Sequence, residues 1–348
     1  GIGASSLAAL TSGAGNVAVG YTALSAITTG DSNVAIGYGA ADALEAGESH
    51  NIAIGRDAMH SWKEGNGTLD RNIAIGTNAF GGDDIASGGF SITDNIAIGY
   101  AALDAGGING AAHLGTIAIG TSALGALTSG DGNVAVGYTA GAALTDGQYN
   151  TLLGYEAGLS LDGGVSNVFL GWKAGRLQVE AGHCIAIGHN TLSNSTNTSS
   201  IENIAIGSNS LDAIAAGVSE GNVCVGFDTG TAITTGDSNT CIGTDAGKAV
   251  TIGLSNTFVG ANAGDATDDG HENTAVGAWA LSGNCGNANT AIGKDAGEQI
   301  TGSGNTVMGK SAGKTLTSGS NNLFLGEDSG LTGSPGGNIT TGGNEIVL

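Results

Sequence analysis

Six histidines, four cysteines and 31 acidic residues are the groups in this 348-residue chain that could ligate a metal, attack a carbonyl or move a proton. The histidines, His50, His60, His113, His183, His189 and His271, fall in separate segments, and no serine, cysteine or carboxylate recurs beside them at a spacing that would activate a nucleophile. Cys224 and Cys241 stand at equivalent positions of two adjacent repeats, with Cys184 and Cys285 elsewhere and no Cys-x-x-Cys or Cys/His cluster. They are expected as small buried hydrophobes, with a cross-link between Cys224 and Cys241 as the alternative. Carboxylates sit in glycine-rich turns at Asp31, Asp131 and Asp237, but a calcium-binding β-roll needs a denser Gly-Gly-x-Gly-x-Asp run, so aspartate as a turn former is the expectation. No catalytic residue, metal site or cofactor is expected, and the chain reads as a non-enzyme.

Binding chemistry is better represented. Tyr138, Tyr155 and Trp172, followed by His189, recur at 17-residue spacing and would line up along a stack of repeats. Such a column is either a sugar-binding platform or a set of rings that stabilises the stack. A second concentration, His60, Trp62, Lys63, Arg71, Phe90 and His113, falls in the longest connecting segments, where functional residues favour rigid scaffolds. Tyr138, Tyr155, Trp172, His60, Trp62, Lys63 and Phe90 are therefore the candidate receptor-contact residues. Thr11, Thr28, Thr128, Thr145, Thr234, Thr251, Thr301 and Thr317 share one repeat position, but Glu45, Asp162, Val179, Asp268 and Cys285 interrupt them. A flat ice-binding face would not accept those charges.

What must position these residues is a repeat. The strand-like string Asn33-Val34-Ala35-Ile36-Gly37 returns throughout, its closing glycine running from Gly3 to Gly326; ten of the 18 intervals are 17 residues and the others 16 to 23. A period of this length signals a solenoid whose units bury their apolar faces only by stacking. The fold class expected is all-β, a parallel β-solenoid or β-roll of 18 to 19 repeats of roughly 17 residues, forming one continuous repeat domain over 1–348. About 18 rungs at ~4.8 Å would make a rod on the order of 90 Å long. Extra residues enter only the return segments, giving expanded loops at 38–119 and 189–225.

Four residues before the glycine an asparagine stands in 16 of 18 copies: Asn16, Asn33, Asn51, Asn72, Asn95, Asn133, Asn150, Asn167, Asn203, Asn222, Asn239, Asn256, Asn273, Asn289, Asn305 and Asn322, with Thr116 and Cys184 as the interruptions. Stacked one per layer, these amides form a ladder. The strand then reads β-branched, small, large aliphatic, so both of its faces are apolar. The expectation is that the first and third positions fill each coil, while the alanine face meets neighbouring chains about a symmetry axis, locally widened at Leu152, Phe169, Phe258 and Phe324. After the glycine, a small residue such as Ala23 or Ala40 is followed chiefly by Leu in the first half and Gly in the second. A short helical turn or second strand is expected there.

Composition excludes several partners. Nine Lys and Arg against 31 acids give a formal charge of −22, the wrong sign for nucleic acid or anionic membranes. No apolar run approaches the length of a spanning helix, no signal peptide is evident, and one proline among 66 glycines excludes collagen. Gly1 falls inside one repeat and Leu348 inside another, so the chain is expected to be a fragment.

Asn33 to Ala41 and Asn95 to Leu103, of the type Asn-x-Ala-Ile-Gly-Tyr-x-Ala-Leu, and the spacers Thr28 to Asn33 and Thr234 to Asn239 resemble repeats in the distal stems of bacteriophage tail fibres, over essentially the whole chain. Gly343 to Leu348 resembles the segment leading into a C-terminal intramolecular chaperone domain. A looser similarity joins the Val-Ala-Ile-Gly strand to head repeats of YadA-like trimeric autotransporter adhesins, whose period is shorter. The resemblance implies an intertwined or side-by-side homotrimer forming a rod. It implies an extracellular fibre, most simply part of a virion, that mediates or projects attachment to a host surface through a glycan or protein receptor. A bacterial or archaeal surface adhesin or filament subunit is the alternative.

Overall fold

The computed structural model describes residues 1–60, 68–82, 91–105, 113–194, 201–214, 219–332 and 337–348. It is all-β, a parallel β-solenoid of turns of about 17 residues, with no helix among the described residues. The chain divides into two compact units, Gly1–Ala181 and Gly182–Leu348.

In the first unit the strands Val17–Val19, Val34–Ile36, Ile52–Ile54, Ile73–Ile75, Ile96–Ile98, Ile117–Ile119, Val134–Val136, Thr151–Leu153 and Val168–Leu170 each pair with the next, parallel and in register. In the second, Ile185–Ile187, Ile204–Ile206, Val223–Val225, Thr240–Ile242, Thr257–Val259, Thr274–Val276, Thr290–Ile292, Thr306–Met308, Leu323–Leu325 and Ile346–Val347 do the same. Three-residue strands joined by tight turns suit a chain rich in glycine, and in-register stacking puts each repeat position on top of its equivalent.

The side of the strand that faces inward is the opposite of the one expected. Ala35, Ala53, Ala74, Ala97, Ala118 and their equivalents are completely buried inside their own coil, and so are Leu152, Phe169, Phe258 and Phe324. The first and third positions face outward, leaving Val17, Ile36, Ile75, Leu153, Ile242, Val276, Ile292 and Met308 exposed. The alanine face therefore meets no neighbouring chain. Strand alternation puts positions one and three on the same side. The coil closes over the other side, because the turn after the glycine folds Ala23, Leu24 and Ile27 inward, all of them at 0% exposure.

That turn is neither a helix nor a strand. It alternates left-handed residues, as at Thr22 (φ 53°) and Leu24 (φ 50°). A non-glycine residue in this region costs on the order of 1–2 kcal/mol. Burial of Leu24 and its bond from N–H to the Ala40 carbonyl, 3.1 Å, offset the strain.

The expanded loops do more than bulge. Thr68–Asp70, Ser91–Thr93 and His113–Leu114 form a second parallel sheet, with Leu69 and Ile92 fully buried beneath it. In the second unit, bridges from Gly182 to Ile201 and from Ile201 to Glu220 repeat the device across the 189–225 loops.

Candidate functional site

The asparagine column is a buried hydrogen-bond ladder. At Asn150 the backbone N–H and the Nδ2 group both donate to Asn133 Oδ1 at 3.0 Å, and Nδ2 also donates to the Gly164 carbonyl at 2.7 Å. Each amide thus joins the rung before it to its own return turn, and its oxygen receives the rung after it. The same pattern links Asn16, Asn33, Asn51, Asn72 and Asn95 in the first unit, and Asn203, Asn222, Asn239 and Asn256 in the second. Thr116 breaks it: its N–H still donates to Asn95 Oδ1 at 2.9 Å, but its hydroxyl is buried without a partner. Buried amides bonded in this way are structural groups; Asn273 departs from the pattern, its backbone N–H donating to Asn256 Oδ1 at 2.9 Å but its Nδ2 buried without a partner.

A second column lies two residues before the asparagine. Asp31 Oδ1 accepts the Ala14 N–H, Asp70 Oδ1 the Ser49 N–H at 2.7 Å, Asp131 Oδ1 the Leu114 N–H at 2.9 Å and Asp237 Oδ1 the Glu220 N–H at 2.9 Å. His271 Nδ1 takes the same role for the Leu254 N–H at 3.0 Å. Composition alone hides this signal, since Asp, His, Ser and Asn all serve as the acceptor. The turn carboxylates expected from sequence thus have backbone work. Among the described residues no group of three or more His, Cys, Asp and Glu could hold a metal.

The ring column forms, with each ring stacked on its neighbour in the next rung. Tyr138 and Tyr155 stack with centroids 5.2 Å apart and planes 11° from parallel; Tyr155 and Trp172 stack at 6.2 Å and 13°. Lys173 Nζ lies 4.0 Å from the Trp172 ring centroid, a cation–π contact. Tyr21 and Tyr38 form a second pair at 5.1 Å. Because both faces of Tyr155 are taken by its neighbours, that ring presents only its edge and hydroxyl to solvent, whereas a stacked sugar needs a free face. His189 belongs to the second unit.

Beside the rings, Glu156 is the hub of an ion cluster, with Arg176 Nε at 2.6 Å and Lys173 Nζ at 4.0 Å. Burial pushes the Glu156 carboxyl up, but bonds from Arg176 and Tyr155 and the nearby cations outweigh it and hold it below the ordinary range. The Tyr155 hydroxyl is raised, first by its bond to Glu156 and then by burial.

Of the loop candidates, His60 is half-buried, its Nδ1 2.8 Å from the Asp57 carbonyl, and it partly offsets the desolvation that raises the Asp104 carboxyl. Arg71 forms a bidentate pair with Asp94 at 2.7 and 2.9 Å. The His113 backbone pairs with Ile92. Trp62, Lys63 and Phe90 lie outside the described residues. A cleft of about 100 Å³ lined by Ala46, Gly47, Glu48, Thr68 and Asp70 holds only a few water-sized volumes.

The outer sheet face is the surface that chemistry leaves unexplained. No strand of the main stack carries a charge at its first or third position in either unit, in a chain with 31 acids. No protein-family model and no curated protein matches this chain.

Proposed function

We propose that this protein is a mechanical element, a rod segment of an extracellular fibre that projects or mediates attachment to a host surface, and that it works as a homotrimer. A phage tail-fibre stem is the first reading, on the repeat resemblance. The observation that carries the proposal is the outward band of Val, Ile, Leu, Thr and Met at strand positions one and three. Exposed apolar area of this continuity marks an association surface. Its period is the rung itself, so a partner can bury it on successive rungs only by having the same rung spacing, and copies of this chain have it. Charge supports the same arrangement: no acid stands at the first or third position of a main-stack strand, leaving the band neutral.

In this reading the contact surface between copies is the Val/Ile band, replacing the alanine face. Function is stiffness, from backbone ladders and two side-chain ladders running along the stack, with no catalytic step and no cofactor. Recognition of a glycan or protein receptor falls to loops and ring edges. Analytical ultracentrifugation tests the assembly. A sedimenting mass three times that of the 33.5 kDa chain is expected; a single-chain mass at micromolar concentration overturns it.

A further inference from the structure

Cys224 and Cys241 are direct neighbours in the core. They are the middle residues of Val223–Val225 and Thr240–Ile242, partners in the parallel register, with neither exposed to solvent and both thiols free. Neighbouring strands run ~4.8 Å apart, and a disulfide spans Cα atoms about 4.4–6.8 Å apart. Both side chains leave the same face of the sheet, since they hold the same position of two strands paired in register. The core is cleared for them: a Cβ on Gly230 would lie 2.6 Å from Cys224 Sγ, and one on Gly247 2.5 Å from Cys241 Sγ. Neither Cys184 nor Cys285 has a cysteine as its register neighbour; Cys285 sits against Thr267 Oγ1 at 3.2 Å.

We propose that Cys224 and Cys241 form an intrachain disulfide that staples two consecutive rungs of the second unit. The oxidant is a small disulfide of the glutathione class. One cysteine thiolate attacks it, forming a mixed disulfide and releasing one thiol; the other thiolate attacks the protein sulfur of that mixed disulfide and releases the second. Two electrons pass to the oxidant, and the two thiol protons end on the released thiols. Mutual hydrogen bonding and burial push the folded Cys224 thiol well up, and solvent does not reach it. The exchange therefore takes place while the rungs are still open, during folding, and the closed core then protects the bond. The extracellular reading supplies the oxidising surroundings, but the pairing rests on register alone.

The test is to unfold the whole chain, refold it in a glutathione redox buffer, block remaining thiols under denaturing conditions and map the peptides. The expected product is a linked Cys224–Cys241 peptide pair lighter by two hydrogens, with Cys184 and Cys285 blocked as thiols and a native β-type circular dichroism spectrum. Linked protein should melt above its reduced form, and Cys224→Ala should abolish the difference. Alanine stands at this position in the preceding rung, Ala205, so that variant is expected to fold. Recovery of Cys224 and Cys241 as thiols, scrambled pairing with Cys184 or Cys285, a linked form lacking the native spectrum, or a linked form melting no higher than the reduced one overturns the proposal. A monomeric sedimenting mass would defeat the fibre reading and leave this result untouched.

Discussion

The Phe169 ring occupies the space that a side chain on Gly175 would need: a Cβ built on Gly175 falls 2.4 Å from both Cδ2 and Cε2 of Phe169. The two share one slot in the coil, six residues apart. The same offset links Leu152 to Gly158, Phe258 to Gly264, Val307 to Gly313 and Phe324 to Gly330. Where the middle strand residue is alanine, position six onward is usually large, as in Ala97 with Leu103 or Ala118 with Leu124, all buried. Two of the three exceptions have a reason: Gly141 and Gly297, paired with Ala135 and Ala291, border the larger Leu152 and Val307 of the next rung, whereas Ala41, paired with Ala35, precedes a rung whose middle residue is Ala53.

Swapping this volume should be reciprocal. Phe169→Ala alone leaves a cavity costing about 3–5 kcal/mol, and Gly175→Leu alone forces overpacking at a left-handed residue. The double variant reproduces the Ala97/Leu103 arrangement, and its melting temperature should recover most of the loss. A double-mutant cycle in which the two effects simply add would show that the slot is not shared.

Removing one amide from the ladder should cost more than an ordinary hydrogen bond. Asn150→Ala strips the acceptor from the buried Asn167 N–H and the donor from the Gly164 carbonyl, and each such orphan costs about 1–3 kcal/mol. Conversely, Thr116→Asn restores a missing step and gives Asn133 an acceptor for its N–H, adding about 1 kcal/mol. Chemical denaturation of both variants checks this; a neutral Asn150→Ala would contradict the ladder's energetic role.

A charge placed on the outer band should separate association from folding. Ile36 is 39% exposed in the single chain, so Ile36→Glu is expected to keep the β spectrum while lowering the sedimenting mass. An unchanged assembly would place the contact between copies elsewhere.

Acid should loosen the ring column. The folded Glu156 carboxyl lies below its ordinary value of 4.5, so it contributes stability that is present above that value and lost as pH falls through the lower folded one. Its partners Arg176 and Lys173 are about one-third exposed, which keeps the contribution modest. Trp172 fluorescence, followed in a Trp62→Phe, Trp279→Phe background, should change in that acid window and lose the change in Glu156→Gln. Persistence of the transition in Glu156→Gln would assign it to another group.

The sequence by itself determined the period, the parallel stacking and the asparagine column, because each depends on equivalent residues recurring at one interval. Tertiary structure decided which side of the strand is inside. Alternation makes Val34 and Ile36 share a face opposite Ala35, but with both faces apolar only the direction in which the turn through Leu24 closes chooses between them. It also decided the meaning of the glycines: Gly175 looks like a turn former until Phe169 is seen filling its place. The faces of Tyr155 were beyond sequence for the same reason, since a 17-residue spacing aligns rings in a column but does not say whether they turn toward solvent or toward each other.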